Sequence, residues 1–249
     1  MTDILHTTIT VLPDLEAVSS RAAEIFLDSS RNCINARGRF AVALSGGSTP
    51  RRLYSLLGSG RYRDEIDWKH VHLFWADERC VPGDHQESNF KAAFDLFLSK
   101  VPVPPGNIHR IKGEKGAGAA AGEYESDLRK FFSAPASPSF DLIILGVGED
   151  GHTASLFPGS PSLAEVSKLA VPVFKESPGI NRVTLTFPVL NSASQVLFLV
   201  SGRAKGPVVH DILETGNAEH YPAGLVLPER GGATWLLDSE AAEALESVR

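Results

Sequence analysis

The chain has 249 residues, 43% of them hydrophobic, and a formal net charge of −6. This size and composition predict one α/β domain over residues 1–249 with a sizeable core. The acidic balance excludes a broad cationic surface for nucleic acid, so positive charge that binds an anion must be concentrated in one pocket.

Apolar runs rich in β-branched residues alternate along the chain with segments of helical periodicity. In the first half, predicted strands and helices alternate in the order Thr7–Leu12, Asp14–Arg37, Arg39–Leu44, Thr49–Leu57, Val71–Trp75 and Ser88–Leu98. In the second half, strands are predicted at Asp141–Leu145, Ala170–Phe174, Arg182–Phe187 and Gln195–Val200, and helices near Gly206–Leu213 and Ser239–Val248. This order predicts a mostly parallel sheet flanked by helices on both faces, with the ligand beyond the carboxyl ends of strands.

Two stretches carry weaker signals. Gly113–Gly122 is rich in Ala and Gly but leads into helical spacing at Glu123–Phe132, so a helix is still compatible with it. Ser133–Ser139 is predicted to be a surface loop. Neither stretch is long enough for a domain linker, which favours a single domain.

A glycine-rich turn follows the second predicted strand, with Gly46, Gly47, Ser48 and Thr49 ahead of Pro50. Thr49 is predicted to be the N-cap of the next helix, with Pro50 at its first position. Free backbone N–H groups, two hydroxyls and the positive end of the helix dipole would meet a phosphate there. The alternative is an ordinary glycine turn before a capped helix.

An acidic pair and an arginine, Asp77, Glu78 and Arg79, follow the third predicted strand. At a strand end these groups can pair with one another, shift one another's pKa values and leave Arg79 to meet an anion. Taken alone, the triplet is more often a solvated charge cluster, so its weight comes from its position.

A second glycine-rich turn follows the strand at Asp141–Leu145 and carries Asp150 and His152. Its glycines at positions 146, 148 and 151 satisfy the dinucleotide-binding pattern G-x-G-x-x-G, but two acidic residues would face the pyrophosphate and Pro158 breaks the following helix. We therefore reject a nicotinamide or flavin site. His152 is instead predicted to be a general base, with Asp150 orienting it.

Two cations complete the predicted site: Arg182 at the start of a strand, and Lys205 beyond a strand end and just inside a helix start. Arg203 is predicted to be a surface charge. His70 and His72 share one strand face, but no third metal ligand follows at suitable spacing, so core or surface roles are predicted for them.

Together these ordered segments resemble the 6-phosphogluconolactonase family over nearly the whole chain. The resemblance implies a Rossmann-like sheet and hydrolysis of 6-phospho-D-glucono-1,5-lactone, the second step of the oxidative pentose phosphate pathway, with no cofactor or metal. It implies catalytic roles for His152, Asp150, Arg79 and Asp77. The substrate phosphate would be bound by Gly46, Gly47, Ser48, Thr49, Arg182 and Lys205.

Glucosamine-6-phosphate deaminases share the implied fold and are the near alternative. They carry a glutamate for sugar-ring opening after the Asp-Gly-His turn, whereas Phe157 stands at that position here, and Arg79 replaces their usual tyrosine. A non-catalytic sugar-phosphate sensor is a second alternative, and the Asp150 and His152 pair argues against it.

The two cysteines, Cys33 and Cys80, lack the spacing of a disulfide framework or a zinc cluster, so a reducing cytoplasm is expected. Met1–Pro13 lacks the features of a signal peptide, and no apolar run reaches the length of a membrane span. We expect a small-molecule substrate as partner, no nucleic acid, no membrane and no obligate protein partner, with a monomer or small homo-oligomer.

Overall fold

The computed structural model describes residues 7–133, 138–176, 179–229 and 231–246. The strands are β1 Thr7–Leu12, β2 Phe40–Leu44, β3 Val71–Trp75, β4 Asp77–Arg79, β5 Ile108–His109, β6 Leu142–Leu145, β7 Ala170–Val173, β8 Arg182–Leu185, β9 Gln195–Val200 and β10 Gly232–Asp238. The α-helices are α1 Leu15–Arg37, α2 Ser48–Leu57, α3 Gly60–Glu65, α4 Asn89–Leu96, α5 Ala117–Phe132, α6 Phe187–Asn191 and α7 Gly206–Leu213.

The main sheet has seven strands in the order β1-β10-β9-β6-β2-β3-β5, and every pairing is parallel. The central strands β2 and β6 are buried along their whole length, and β9 is buried from Val196 onward, which is why these stretches are continuous apolar runs rather than alternating ones. The carboxyl ends of β9, β6, β2 and β3 therefore lie side by side at one edge of the sheet.

Helices cover both faces of this sheet, as predicted. Phe40 pairs in register with Val71, so Phe74, three residues further along β3, points to the opposite face. Phe26 of α1 packs edge-on against Phe40, with ring centroids 5.3 Å apart, whereas Phe131 of α5 packs against Phe74 at 5.0 Å. The helices α1 and α5 thus bury opposite faces of the same strands.

A second, three-stranded sheet contains β4, β8 and β7, and its pairings are antiparallel. The sequence placed β7 and β8 in the continuing parallel pattern, and this placement is wrong. Only residues 174–181 separate the two strands, too few for the crossover that parallel neighbours need. The short β4 was not predicted; it leaves the main sheet after β3 and joins β8.

The carboxyl-terminal part differs from the prediction in two ways. Gly232–Asp238 forms β10, a strand that the sequence reading missed, and it lies between β1 and β9. The predicted helix at Ser239–Val248 is wrong, since 239–244 form turns; its residues 247–248 lie outside the described residues. The backbone hydrogen bond from Ala242 to Asp238 spans four residues, whereas the one from Leu245 to Ala242 spans three, so the segment closes separate turns and builds no regular helix.

The helix after Gly113 is confirmed as α5, and the ends of the other predicted elements agree within a few residues. Of the predicted Ser133–Ser139 loop, positions 134–137 lie outside the described residues. Within the described ranges, no helix has the length and apolar character needed to cross a membrane.

Candidate functional site

A small cleft with a volume of about 190 Å³ lies at the carboxyl edge of the four central strands. Every predicted site residue except Asp150 lines this cleft, and Asp150 contacts the lining residue His152. The lining includes Ser45, Gly46, Gly47, Ser48, Thr49, Asp77, Arg79, Asn89, Ala154, Arg182 and Lys205. The structure therefore assembles the motifs that the sequence scatters over 160 positions.

The turn at Gly46–Thr49, here called the glycine turn, joins β2 to α2. Helix α2 begins at Ser48, so the predicted N-cap role of Thr49 is wrong; Gly47 occupies that position, with a φ of +98°. That angle suits glycine, which gives no side-chain cap. The first N–H groups of α2 thus lack a side-chain acceptor and face the cleft, as a bound anion requires.

The turn at Gly148–His152, here called the histidine turn, is closed by its own backbone. The N–H of Gly148 donates to the carbonyl of His152 at 2.8 Å, and the N–H of Gly151 donates to the carbonyl of Gly148 at 3.0 Å. Gly151 has a φ of +76°, in the left-handed region. A side chain at Gly148 would place its Cβ 2.0 Å from Nδ1 of His152, so the imidazole lies directly over this glycine.

Asp150 holds the imidazole of His152, as predicted. Its Oδ1 lies 2.5 Å from Nδ1 of His152, which leaves Nε2 without a hydrogen-bond partner among the described residues. Burial alone would raise the pKa of Asp150, but the hydrogen bonds from His152 outweigh it and lower the pKa of this carboxyl. Asp150 is thus a carboxylate that fixes the imidazole and can stabilise its protonated form.

Phe157 and Lys175 extend this arrangement, and the sequence reading assigned them no role in the site. The ring of Phe157 packs on the imidazole of His152 with centroids 4.5 Å apart, and Nζ of Lys175 lies 3.1 Å from the centroid of the same ring. Burial and the charge of Arg182 lower the pKa of Lys175. A lone lysine in a loop gave no signal of this contact.

Ala154 follows the histidine turn and lines the cleft with a φ of +49°. A residue with a Cβ adopts this conformation at a cost of about 1 kcal/mol or more. No sequence pattern marks the position. It redirects the chain so that Ser155 turns inward and is fully buried.

Asp77 is buried and paired on both oxygens. Its Oδ2 accepts from the hydroxyl of Ser155 at 2.6 Å, and its Oδ1 accepts from the side-chain amide of Asn89 at 3.1 Å. The same Oδ2 lies 4.0 Å from Nη1 of Arg182. Asp77 therefore holds neighbouring cleft groups in place, and the sequence reading did not include Ser155 or Asn89 in the site.

Glu78 points away from the cleft and holds the start of α4. Its carboxylate accepts from the N–H groups of Asn89 at 2.7 Å, Phe90 at 2.8 Å and Arg79 at 2.7 Å, and from the hydroxyl of Ser88 at 3.0 Å. Burial raises the pKa of Glu78, although these four donors favour its carboxylate. Glu78 is a structural acid.

Arg79 and Arg182 lie directly opposite each other in the β4–β8 register. Like charges in this position repel, and Nε of each guanidinium is buried without a hydrogen-bond partner. Burial lowers the pKa of Arg182. Nη1 of Arg79 donates to the carbonyl of Glu87 at 2.7 Å, so this guanidinium is partly fixed. An anion between the two arginines would relieve their repulsion.

Lys205 lines the cleft. It ends a short 3-10 turn after β9 and immediately precedes α7, so its predicted place just inside the helix is wrong by one residue. Arg203 is exposed and pairs with Glu243, in keeping with the predicted surface role. His70 is exposed beside Asp67, and His72 contacts His109 at 3.4 Å on the α5 face. The described ranges contain no cluster of three potential metal ligands.

The fold and the site together define an α/β protein with a histidine and several cations around one small-molecule cleft. The chain belongs to the family described as glucosamine-6-phosphate isomerases/6-phosphogluconolactonase, whose model matches residues 13–235.

Relatives in this family cover most of the chain. It is 42% identical to 6-phosphogluconolactonase 3, chloroplastic, of Arabidopsis thaliana, over 90% of this chain and 70% of that protein. It is 37% identical to a 6-phosphogluconolactonase of Nostoc, over 96% and 98% of the two chains. The solved structure of 6-phosphogluconolactonase from Trypanosoma cruzi superimposes with a TM-score of 0.86 at 29% identity, covering 96% and 97% of the two chains. The predicted family and Rossmann-like fold are confirmed.

Proposed function

We propose that the chain hydrolyses 6-phospho-D-glucono-1,5-lactone to 6-phospho-D-gluconate, the second step of the oxidative pentose phosphate pathway. Its relatives of 37–42% identity carry the name of this enzyme. The observation that carries the proposal is that an Asp150-held His152 shares one cleft with an uncapped helix start and three cations.

The substrate phosphate binds at the glycine turn in this proposal. The free N–H groups at the start of α2 and the hydroxyls of Ser48 and Thr49 supply donors, and Lys205 supplies charge. Arg182, which also lines the cleft, adds a second cation. Anchoring the phosphate fixes the lactone carbonyl beside His152, which converts part of the binding energy into orientation.

His152 acts as the general base in this proposal. Nε2 takes a proton from water, and the resulting hydroxide adds to the carbonyl carbon. The tetrahedral oxyanion then collapses, the bond from C1 to the ring oxygen breaks, and that oxygen takes the proton back from the imidazolium. The carboxylic acid product ionises in water. Asp150 stabilises the imidazolium between the two proton transfers.

Arg79 is the proposed donor to the oxyanion, together with backbone N–H groups of the histidine turn. Because it faces Arg182 across β4 and β8, both guanidiniums act on neighbouring parts of the substrate. Asp77 has a positioning role in this scheme, since both of its oxygens are occupied by Ser155 and Asn89.

Deamination of glucosamine 6-phosphate is the second candidate, because the family description includes that class. Phe157 argues against it. The ring packs on the imidazole of His152 and has no proton to give, so the cleft offers no acid at that position for opening a sugar ring. Lactone hydrolysis needs no such acid. A non-catalytic sensor would not need the Asp150 and His152 pair.

Several expectations stay predictions. These are the absence of a cofactor or metal, a cytoplasmic location, the absence of nucleic-acid, membrane and obligate protein partners, and the oligomeric state as a monomer or small homo-oligomer. Cys33 and Cys80 are free thiols in the structure. Burial raises the pKa of both, which keeps them in the thiol form.

The test is hydrolysis of freshly generated 6-phosphoglucono-δ-lactone in EDTA, followed by coupled detection of 6-phosphogluconate. We expect turnover above the spontaneous background. Ammonia release from glucosamine 6-phosphate, measured on the same preparation, should be absent. Deamination without lactone hydrolysis would replace this function, and binding of 6-phosphogluconate without turnover would support the sensor.

A further inference from the structure

The segment 218–225 packs behind the histidine turn, and the proposed mechanism does not use it. The ring of Tyr221 lies against Gly151, since a Cβ built on that glycine would come within 2.3 Å of Cδ1 of the tyrosine. The N–H of Ala223 donates to the carbonyl of Gly151 at 3.0 Å. The backbone under His152 is thus held from behind by a ring and a hydrogen bond.

Tyr221 is itself fixed by the helix that begins beside the cleft. Its hydroxyl donates to Oδ2 of Asp211 at 2.7 Å. Asp211 lies on α7, which starts immediately after Lys205. At 1.5 Å per residue, the lysine and the aspartate lie about 9 Å apart along the helix axis. Helix α7 therefore carries the acceptor that orients Tyr221 and begins immediately after a cleft cation.

Support from behind matters for the histidine turn because few hydrogen bonds join its own backbone groups. Two backbone hydrogen bonds close it, and the side chain of Asp150 is 52% exposed. If the backing were removed, Gly151 and the imidazole could shift toward the vacated space. A displacement of about 1 Å at a catalytic group can cost up to about 100-fold in rate.

We propose that Tyr221 is a positioning residue that fixes the imidazole of His152 relative to a substrate anchored at Lys205, with Asp211 setting the orientation of the tyrosine. The inference rests on the proposed function. Tyr221 is absent from the cleft lining, so it acts through the turn and not on the substrate. Its loss should therefore lower kcat and leave KM largely unchanged.

The experiment compares Tyr221→Ala, Tyr221→Phe, Asp211→Ala and Asp211→Asn with the parent enzyme, by kcat, KM and Tm. We expect Tyr221→Ala to lower kcat by roughly tenfold or more, with KM within about twofold. Tyr221→Phe and Asp211→Ala should each lower kcat by a smaller factor. Asp211→Asn should keep a kcat closer to that of the parent than Asp211→Ala does, because the asparagine amide oxygen still accepts from the Tyr221 hydroxyl.

Tyr62→Ala is the matched control, since Tyr62 is also a part-buried tyrosine but lies on α3, away from the cleft. It should leave kcat unchanged. If the parent is active and Tyr221→Ala keeps the parental kcat, the inference is overturned but the proposed function stands. Equal losses of kcat in Asp211→Asn and Asp211→Ala would have the same meaning. An inactive parent would overturn the proposed function as well. If Tyr221→Ala fails to fold, the Tyr221→Phe and Asp211 variants still decide the matter.

Discussion

The histidine turn and strand β4 both follow strands of the main sheet at its carboxyl edge, and each contains two adjacent acidic residues. In the histidine turn, Asp150 is half-exposed and bonds to one imidazole nitrogen. In β4, Glu78 is almost fully buried and accepts four hydrogen bonds from the backbone and side chains around the start of α4.

The contrast shows that an acid at a strand end has no fixed role. The pKa of Asp150 is lowered because hydrogen bonds from His152 outweigh the burial that would raise it. The pKa of Glu78 is raised because burial outweighs its donors. The first arrangement suits the proposed general base and the second holds the start of α4. Only the three-dimensional contacts distinguish them.

The largest expected effect on stability comes from Glu78→Ala. The substitution leaves three backbone N–H groups and one hydroxyl without their acceptor, so we expect a loss of about 3–5 kcal/mol in the free energy of unfolding. Urea denaturation measures it. Glu87→Ala is the control, because this neighbouring acid is exposed and should change stability by less than about 0.5 kcal/mol. Equal changes in the free energy of unfolding for the two variants would contradict the structural role of Glu78.

Gly148→Ala should displace the imidazole of His152 without straining the backbone at position 148. Its methyl would lie 2.0 Å from Nδ1 of His152 and 2.5 Å from Oδ1 of Asp150, whereas the φ of this glycine is compatible with alanine. We expect kcat to fall by roughly 100-fold while Tm changes little. Gly146→Ala places its methyl in open space and should have a smaller effect. Similar kcat values for the two variants would contradict the geometry.

The smallest expected effects concern the pH dependence of stability, to which Asp150 and Glu78 should contribute with opposite signs. The lowered pKa of Asp150 gives stability that is present above about pH 4 and is lost as the pH falls. The raised pKa of Glu78 gives the reverse, a contribution present below about pH 4 and lost as the pH rises through the folded-state value.

Unfolding of Asp150→Asn and Glu78→Gln over an acidic pH series measures this difference. The stability gap between the parent and Asp150→Asn should widen as the pH rises, and the gap for Glu78→Gln should narrow. The effect for Asp150 is small, because solvent screens a half-exposed side chain. Gaps that change in the same direction would contradict the comparison.

Much of the site was predictable because parallel strands place their following turns at one edge. The segments that follow four neighbouring strands contain Gly46, Asp77, His152 and Lys205, so the strand pattern indicated these segments as the site. The buried apolar runs of those strands gave a clear signal.

The rest depends on contacts that no local pattern encodes. Strand β4 has only three residues and is charged, so its pairing with β8 and the apposition of Arg79 with Arg182 emerge only in three dimensions. The contacts of Phe157 with His152 and of Tyr221 with Gly151 join segments through packing. The segment predicted to be a helix from Ser239 forms turns, and no local pattern marks this difference.

The general-base role of His152 is the central claim, and one comparison tests it directly. Lactone hydrolysis in EDTA is measured for the parent, His152→Ala and the control His70→Ala, whose imidazole is exposed beside Asp67 at the amino end of β3. We expect His152→Ala to lower kcat by about 10²–10⁴-fold with its fold retained, and His70→Ala to keep the parental rate. Near-parental turnover in His152→Ala would contradict the mechanism.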